Sequence, residues 1–200
     1  MRRIMSFSDH IFEKYAIVCK VIDACGTLSG RKKFHTIMYM CKESNYPIHE
    51  TFKWANYGVY SSELSGEIEA LQNSGFVNET QSENSSYTTY DYTISDDGKI
   101  FLDKMKEGLL QNCDVELFDR FLNLVKRLNQ YSSRDLELFS SIMFLSKDGE
   151  EQEELIPFLK YLKPQYPRSE ILKGMDVVET LKSKFDVAWR QSDFRNVGRW

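Results

Sequence analysis

A mainly helical α+β fold, built as a winged helix-turn-helix followed by a helical C-terminal region, is what this sequence predicts. Three observations carry that expectation. Residues 30–94 run in the order helix, strand, helix, two-stranded hairpin. The run Phe52-Lys53-Trp54-Ala55-Asn56-Tyr57-Gly58-Val59-Tyr60-Ser61-Ser62-Glu63-Leu64 passes from alternation through a glycine turn into a capped helix. From Asp114 onward the spacing of apolar residues is helical throughout.

In order along the chain, Ile11, Phe12, Tyr15, Cys19 and Ile22 recur at threes and fours and predict a helix over 9–24. Ser8 reads as its N-cap and Gly26 as its closing residue. Gly30-Arg31-Lys32-Lys33 opens a second helix whose apolar face is Phe34, Ile37, Met38 and Cys41, and Asn45-Tyr46-Pro47 ends it. Phe52, Trp54 and Asn56 alternate with Lys53 and Ala55 as one short strand. Ser61 or Ser62 caps a third helix that buries Leu64, Ile68 and Leu71 and closes at Gly75. Phe76-Val77 starts a strand, 81–86 reads as a polar turn, and Tyr87 to Ile94 returns, giving a hairpin with a loop longer than two residues. Ser95-Asp96-Asp97-Gly98 breaks the sheet and caps the next helix. Val115, Phe118, Leu122, Val125 and Leu128 form one later helix. Ser132 and Asp135 read as a capping box for another, carrying Leu136, Phe139, Ile142 and Met143. Lys147 to Glu154 is an acidic loop or frayed helix start, and Pro157 sits in a first helical turn or at a kink. Ser169 caps a final helix with Leu172, Met175, Val178 and Leu181. The expected division is a winged helix-turn-helix domain over 1–112, a helical region over 113–189 and a basic tail over 190–200.

Composition narrows the class. With 200 residues, 42% hydrophobic and 28% charged, the chain can bury a sizeable core. No apolar run approaches the roughly 20 residues a membrane helix needs. Met1-Arg2-Arg3 is followed by no signal-peptide core. Cys19, Cys25, Cys41 and Cys113 show no paired spacing, which fits free thiols in a reduced cytoplasmic protein. The net charge of −4 argues against a general nucleic-acid coat.

Several residues resemble those of known proteins. Gly30-Arg31-Lys32-Lys33-Phe34 with Tyr39, Tyr57 to Leu64, Tyr90-Asp91-Tyr92-Thr93-Ile94 and Asp97-Gly98 resemble the YwgA-like family of small bacterial winged-helix proteins. Leu136-Glu137-Leu138 and Leu162-Lys163-Pro164 are similar to that family's helical second half. More distantly, the first half resembles the SocA-like (Panacea) antitoxin domain, which shares a basic helix start and a Tyr-Gly-Pro turn. Here Val59 stands where both families usually carry proline. The resemblance implies the fold and, through the antitoxin likeness, a protein partner; it implies no catalytic residue.

Two sets of residues are candidate sites. Arg31, Lys32 and Lys33 place three cations at a helix N-terminus, against the dipole at a cost of a few tenths of a kcal/mol each, which points to an anion or nucleic acid nearby. The plainer reading of that cluster is a solvated first turn with one surface ion pair. Tyr57, Tyr60, Ser61, Glu63 and Glu67 are the candidate partner-binding set at the turn and on the third helix. That helix offers Glu63, Glu67 and Glu69 with no Lys or Arg, and the hairpin adds Glu79, Glu83 and Asp91. Against a polyanionic duplex these carboxylates are repulsive, so DNA is the disfavoured partner and another protein, or a second copy, the favoured one. Tyr87, Tyr90 and Tyr92 read as sheet residues. His10, His35 and His49 are too scattered to make a zinc motif, and no phosphate loop, nucleophile elbow or Cys–His pair appears, so neither metal, cofactor nor enzymatic activity is expected.

Overall fold

The computed structural model describes residues 7–46, 48–55, 58–84, 87–112, 115–146 and 152–185. Among these the order is α1 (Phe7–Cys25), β1 (Leu28–Ser29), α2 (Arg31–Glu43), β2 (Lys53–Ala55), β3 (Gly58–Tyr60) and α3 (Ser62–Asn73). There follow β4 (Val77–Asn84), β5 (Tyr87–Ile94), α4 (Asp96–Asn112), α5 (Val115–Asn129), α6 (Ser133–Leu145), α7 (Gln152–Leu162) and α8 (Arg168–Phe185). The chain is mainly helical with a little antiparallel sheet, an α+β fold.

At the centre lies α2, buried over eight consecutive residues from Phe34 to Cys41. A helix covered on every side needs packing partners all round. They come from both halves of the chain: α5 and α6 lie against α2, α5 also against α1, and α8 against α6. One apolar cluster runs from Ala16 to Phe185 without a break at residue 112. Cys19 and Cys41 are buried within it and Cys25 lies partly covered, all three as free thiols; burial pushes those of Cys19 and Cys25 up to about 12. Cys113 and the tail 190–200 lie outside the described residues. No described helix is long and apolar enough to cross a membrane.

The sheet differs from expectation at three points. Two residues, Leu28 and Ser29, pair with Tyr92 and Asp91, making the order β1-β5-β4. A strand that short carries no alternation to read. The stretch around Trp54 is one arm of a hairpin rather than a lone strand: Lys53, Trp54 and Ala55 pair with Tyr60, Val59 and Gly58. Gly58 adopts φ 111°, a left-handed backbone that a side chain would strain. Lastly, β4 continues through Gln81–Asn84, with Asn84 opposite Tyr87, so two residues rather than six separate the strands. Gln81 to Asn84 had read as a turn because all four residues are polar and carry no apolar alternation.

Helix ends follow local chemistry. Ser61 is the N-cap of α3, accepting from Leu64 N, and Ser132 caps α6, accepting from Asp135 N. The first helix begins at Phe7, so Ser8 lies inside it rather than capping it. Ser95 accepts from Gly98 N at 2.9 Å and starts α4. The run Ser95–Gly98 thus ends the sheet and opens the helix as expected, with Gly98 inside α4; a β-carbon there would run into the Phe76 carbonyl and the Ile94 side chain. Pro157 lies within α7, beyond its first turn.

Candidate functional site

The turn entering α3 is organised by a histidine. His35, on α2, receives the Ser61 backbone N–H on Nδ1 at 3.2 Å. That leaves the ring proton on Nε2, 3.3 Å from Ser65 Oγ. Ser65 in turn lies 3.0 Å from the Tyr60 hydroxyl and 3.3 Å from the Ser61 carbonyl. The Tyr60 ring stacks on the imidazole, centroids 4.7 Å apart. Burial pushes the His35 pKa down to about 4, so the ring stays neutral. With its lone pair already engaged by an amide, His35 cannot take a proton from Ser65; the pair is a clamp on the helix start and not a nucleophile with its base. Tyr60, 45% exposed, and the outward Glu63 remain available to a partner. One carboxylate oxygen of Glu63 also accepts from Thr51 N at 2.9 Å.

Glu67 does not join this surface. Its side chain turns inward, 9% exposed, toward Lys14 of α1 at 3.5 Å. Glu50, itself buried, shares the same lysine at 3.7 Å. Burial first, and Glu50 second, raise the Glu67 pKa to about 8. One Glu67 oxygen is buried with no hydrogen-bond partner, and the raised pKa favours the protonated, neutral carboxyl there. The helical spacing had placed Glu67 among exposed acids; the sequence held no sign of Lys14 and Glu50 arriving from 53 and 17 residues away.

The three cations at the start of α2 diverge. Arg31 donates to the Tyr92 hydroxyl at 3.0 Å, pairs with Glu79 at 3.2 Å and lies over the Tyr90 ring at 3.9 Å. Lys32 pairs with Glu137 of α6. Lys33 donates to the Asn129 carbonyl at 2.6 Å. Each thus has an internal partner, and they do not converge on a common point. Glu137 is shared: its second oxygen accepts from Lys163 at 2.5 Å, a lysine only 6% exposed that also lies 5.5 Å from the centre of the Trp54 ring. Burial alone would raise the Glu137 pKa, but the hydrogen bonds from Lys163 and Lys32 outweigh it and hold the carboxyl below its ordinary value. Tyr57 lies outside the described residues, as does the side chain of Tyr87. Among the described residues no three His, Cys, Asp or Glu side chains gather as a metal site would require.

No family model matches the chain. Over 172 residues it is 30% identical to the uncharacterized protein YwgA of Bacillus subtilis (strain 168), a match covering 86% of this chain and 98% of that one. The chain belongs to the YwgA-like family. The match extends over nearly the whole relative. Membership in the YwgA-like family gives no residue a role, which leaves the geometry above to argue function.

Proposed function

We propose that this YwgA-like chain is a non-enzymatic regulator or adaptor on a winged helix-turn-helix, recognising another protein through Tyr60 and the outward face of α3, while Ser61, expected to join that surface, is buried as the helix cap behind it. The winged-helix reading is supported by the order α1-β1-α2-α3-β4-β5, interrupted only by the β2–β3 hairpin, and by the strand order β1-β5-β4. In that arrangement α3 takes the position of a recognition helix and β4–β5 that of the wing.

One observation carries the choice of partner. The exposed residues of α3 are Ser62, Glu63, Gly66, Glu69 and Asn73, with no Lys or Arg on the helix, while Arg31 and Lys32 face carboxylates of their own. A surface that grips a duplex presents cations to phosphate. This one presents Glu63 and Glu69 beside a half-exposed tyrosine, a combination suited to a polypeptide carrying basic and apolar side chains. The antitoxin likeness makes a toxic protein held inactive one form such a partner would take.

Binding to DNA as a transcriptional regulator is the second reading. It is favoured by the inward turn of Glu67, which takes one repulsive carboxylate off the surface, and by the pairing of Glu79 with Arg31, which offsets the charge of another. Two measurements separate the readings. Tagged full-length chain, recovered from its own cells, is expected to co-elute with a stoichiometric protein that Glu63→Lys with Glu69→Lys displaces. Duplex DNA titrated at two salt concentrations is expected to bind no tighter than the roughly micromolar non-specific range. Submicromolar duplex binding with a steep salt slope, and no co-eluting protein, would overturn the first reading in favour of the second.

A further inference from the structure

Gly66 is a weak choice for its position. It lies exposed in the interior of α3, where glycine makes a helix less stable than alanine would. Nothing inside the molecule requires it. Its φ is not positive, and a β-carbon added there meets no atom within 4 Å. At Gly98 and Gly174, by contrast, a β-carbon would come within 2.2 Å and 3.0 Å of neighbouring atoms. A helical glycine that the fold does not need leaves backbone bare toward something that approaches from outside.

The side chains around it give that approach a direction. Ser65 donates to the Tyr60 hydroxyl at 3.0 Å, which lays the tyrosine along the first turns of α3. One face of its ring rests on His35, and at 45% exposure the other face is left to solvent. Tyr60 is thus a large aromatic anchor already held in place, which a partner meets without first having to order it. Glu69, exposed, stands one turn beyond Ser65 on the same side of the helix. Lys53, also exposed, pairs with Tyr60 across β2–β3, so those two side chains share a face. The surface therefore carries a cation on the hairpin side and a carboxylate farther along the helix.

Given α3 as the protein-binding surface proposed above, we infer that an amphipathic α-helix of the partner crosses it at Gly66. A large apolar side chain of that helix lies on the open face of Tyr60, a Lys or Arg meets Glu69, and an acidic residue turns toward Lys53. A helix is the form that fits. Between its ends α3 uses its backbone groups on its own turns, so it has none to offer an extended segment, whose N–H and C=O groups would go unpaired on contact. A partner helix satisfies its own. The missing β-carbon lets the two axes come nearer than the roughly 8–10 Å that ordinary side chains impose. A second copy of this chain does not fit the same face. Two α3 helices related by a two-fold at Gly66 would set Glu63 of each against Glu69 of the other, with no Lys or Arg on either helix to offset them.

Two display libraries selected on the full-length chain test this. One randomises the exposed face of a single helix in a small helical scaffold, and the other consists of short unstructured peptides. The helical library is expected to enrich binders that carry Lys or Arg beside a large apolar residue. These should lose about tenfold or more in affinity for Gly66→Leu and for Glu69→Lys. Leucine is the better helix former, so Gly66→Leu should also melt about 2–3 °C higher than wild type, and its lost affinity is then not lost folding. Enrichment from the unstructured peptides alone, binders indifferent to Gly66→Leu, or no binder from either library would overturn the inference. So would a lower melting point for Gly66→Leu, which would mean that the fold itself needs the glycine. The broader reading has its own outcome. A co-eluting cellular protein displaced by Glu63→Lys with Glu69→Lys but kept by Gly66→Leu leaves the protein-binding reading standing and removes the crossing at Gly66, whereas no co-eluting protein removes both.

Discussion

Two buried clusters use the same ingredients in opposite proportion. Where α2, α6 and the α7–α8 link meet, one carboxylate, Glu137, serves two ammoniums, Lys32 and Lys163. Where α1, α3 and the segment before β2 meet, two carboxyls, Glu50 and Glu67, serve one ammonium, Lys14. The first holds its carboxyl ionised, with the pKa lowered by Lys163 and Lys32 against the effect of burial. In the second a carboxyl keeps its proton, its pKa raised to about 8 by burial and by Glu50. Local stoichiometry of charge, more than depth, decides which groups are ionised. It also divides the molecule: the C-terminal helices are fastened by a bond that strengthens above the carboxylate range, and α3 by one that needs a proton.

The largest expected effect breaks the first cluster. Glu137→Ala leaves Lys163 buried without a counter-charge, and such losses run to about 3 kcal/mol or more. Urea unfolding of the variant should show it, and adding Lys163→Met should recover part of the loss. Next comes the second cluster, read through pH. Glu67 holds its proton to about 8 when folded against 4.5 in the reference state, so folding takes up a proton between those values. Stability should decline as pH rises from 5 through 8 and level off beyond. Glu67→Gln, which mimics the protonated form, should flatten that limb, with a difference at pH 9 on the order of 2 kcal/mol. A wild-type profile as flat as the variant's would show that Glu67 keeps no extra proton in the folded chain.

On the acid side α3 has a different limit. His35 binds its proton at about 4 when folded and at 6.5 otherwise, so stability should fall as pH drops from 6.5 toward 4. His35→Ala should abolish that limb at a cost of about 1 kcal/mol for the orphaned Ser61 amide. Smallest of all is Arg31→Ala. Its pair with Glu79 is mostly exposed, and such pairs contribute no more than about 0.5–1 kcal/mol. A loss several times larger would mean that stacking on Tyr90 holds the hairpin base.

What the sequence disclosed follows from how local each signal is. The helices, the Ser61 and Ser132 caps and the Gly75 closure are written within a few residues, by period and cap chemistry. Strand β1 escaped because two residues carry no period, and β4 was read short because its outer half is polar on both faces. For the candidate site, Tyr60 and Ser61 could be placed at the turn, yet His35 could not, since its acceptor role depends on an amide 26 residues away. Glu137 and Lys163, read only as part of a family resemblance, became partners through packing over a separation of 26 residues, and Lys32 joined them from 105. Charge runs such as Arg31-Lys32-Lys33 state what is available and nothing about where each member goes.

The all-round burial of α2 reaches back to the chain's birth. A ribosome releases Phe34 to Cys41 about 90 residues before it has finished the start of α6, which will cover them. At ~5–20 residues per second that interval is about 5–20 s. Through it the newborn protein carries a bare greasy rod, and chaperone capture of stalled nascent chains ending before Ser133, but not of those extending past Phe185, would register the exposure.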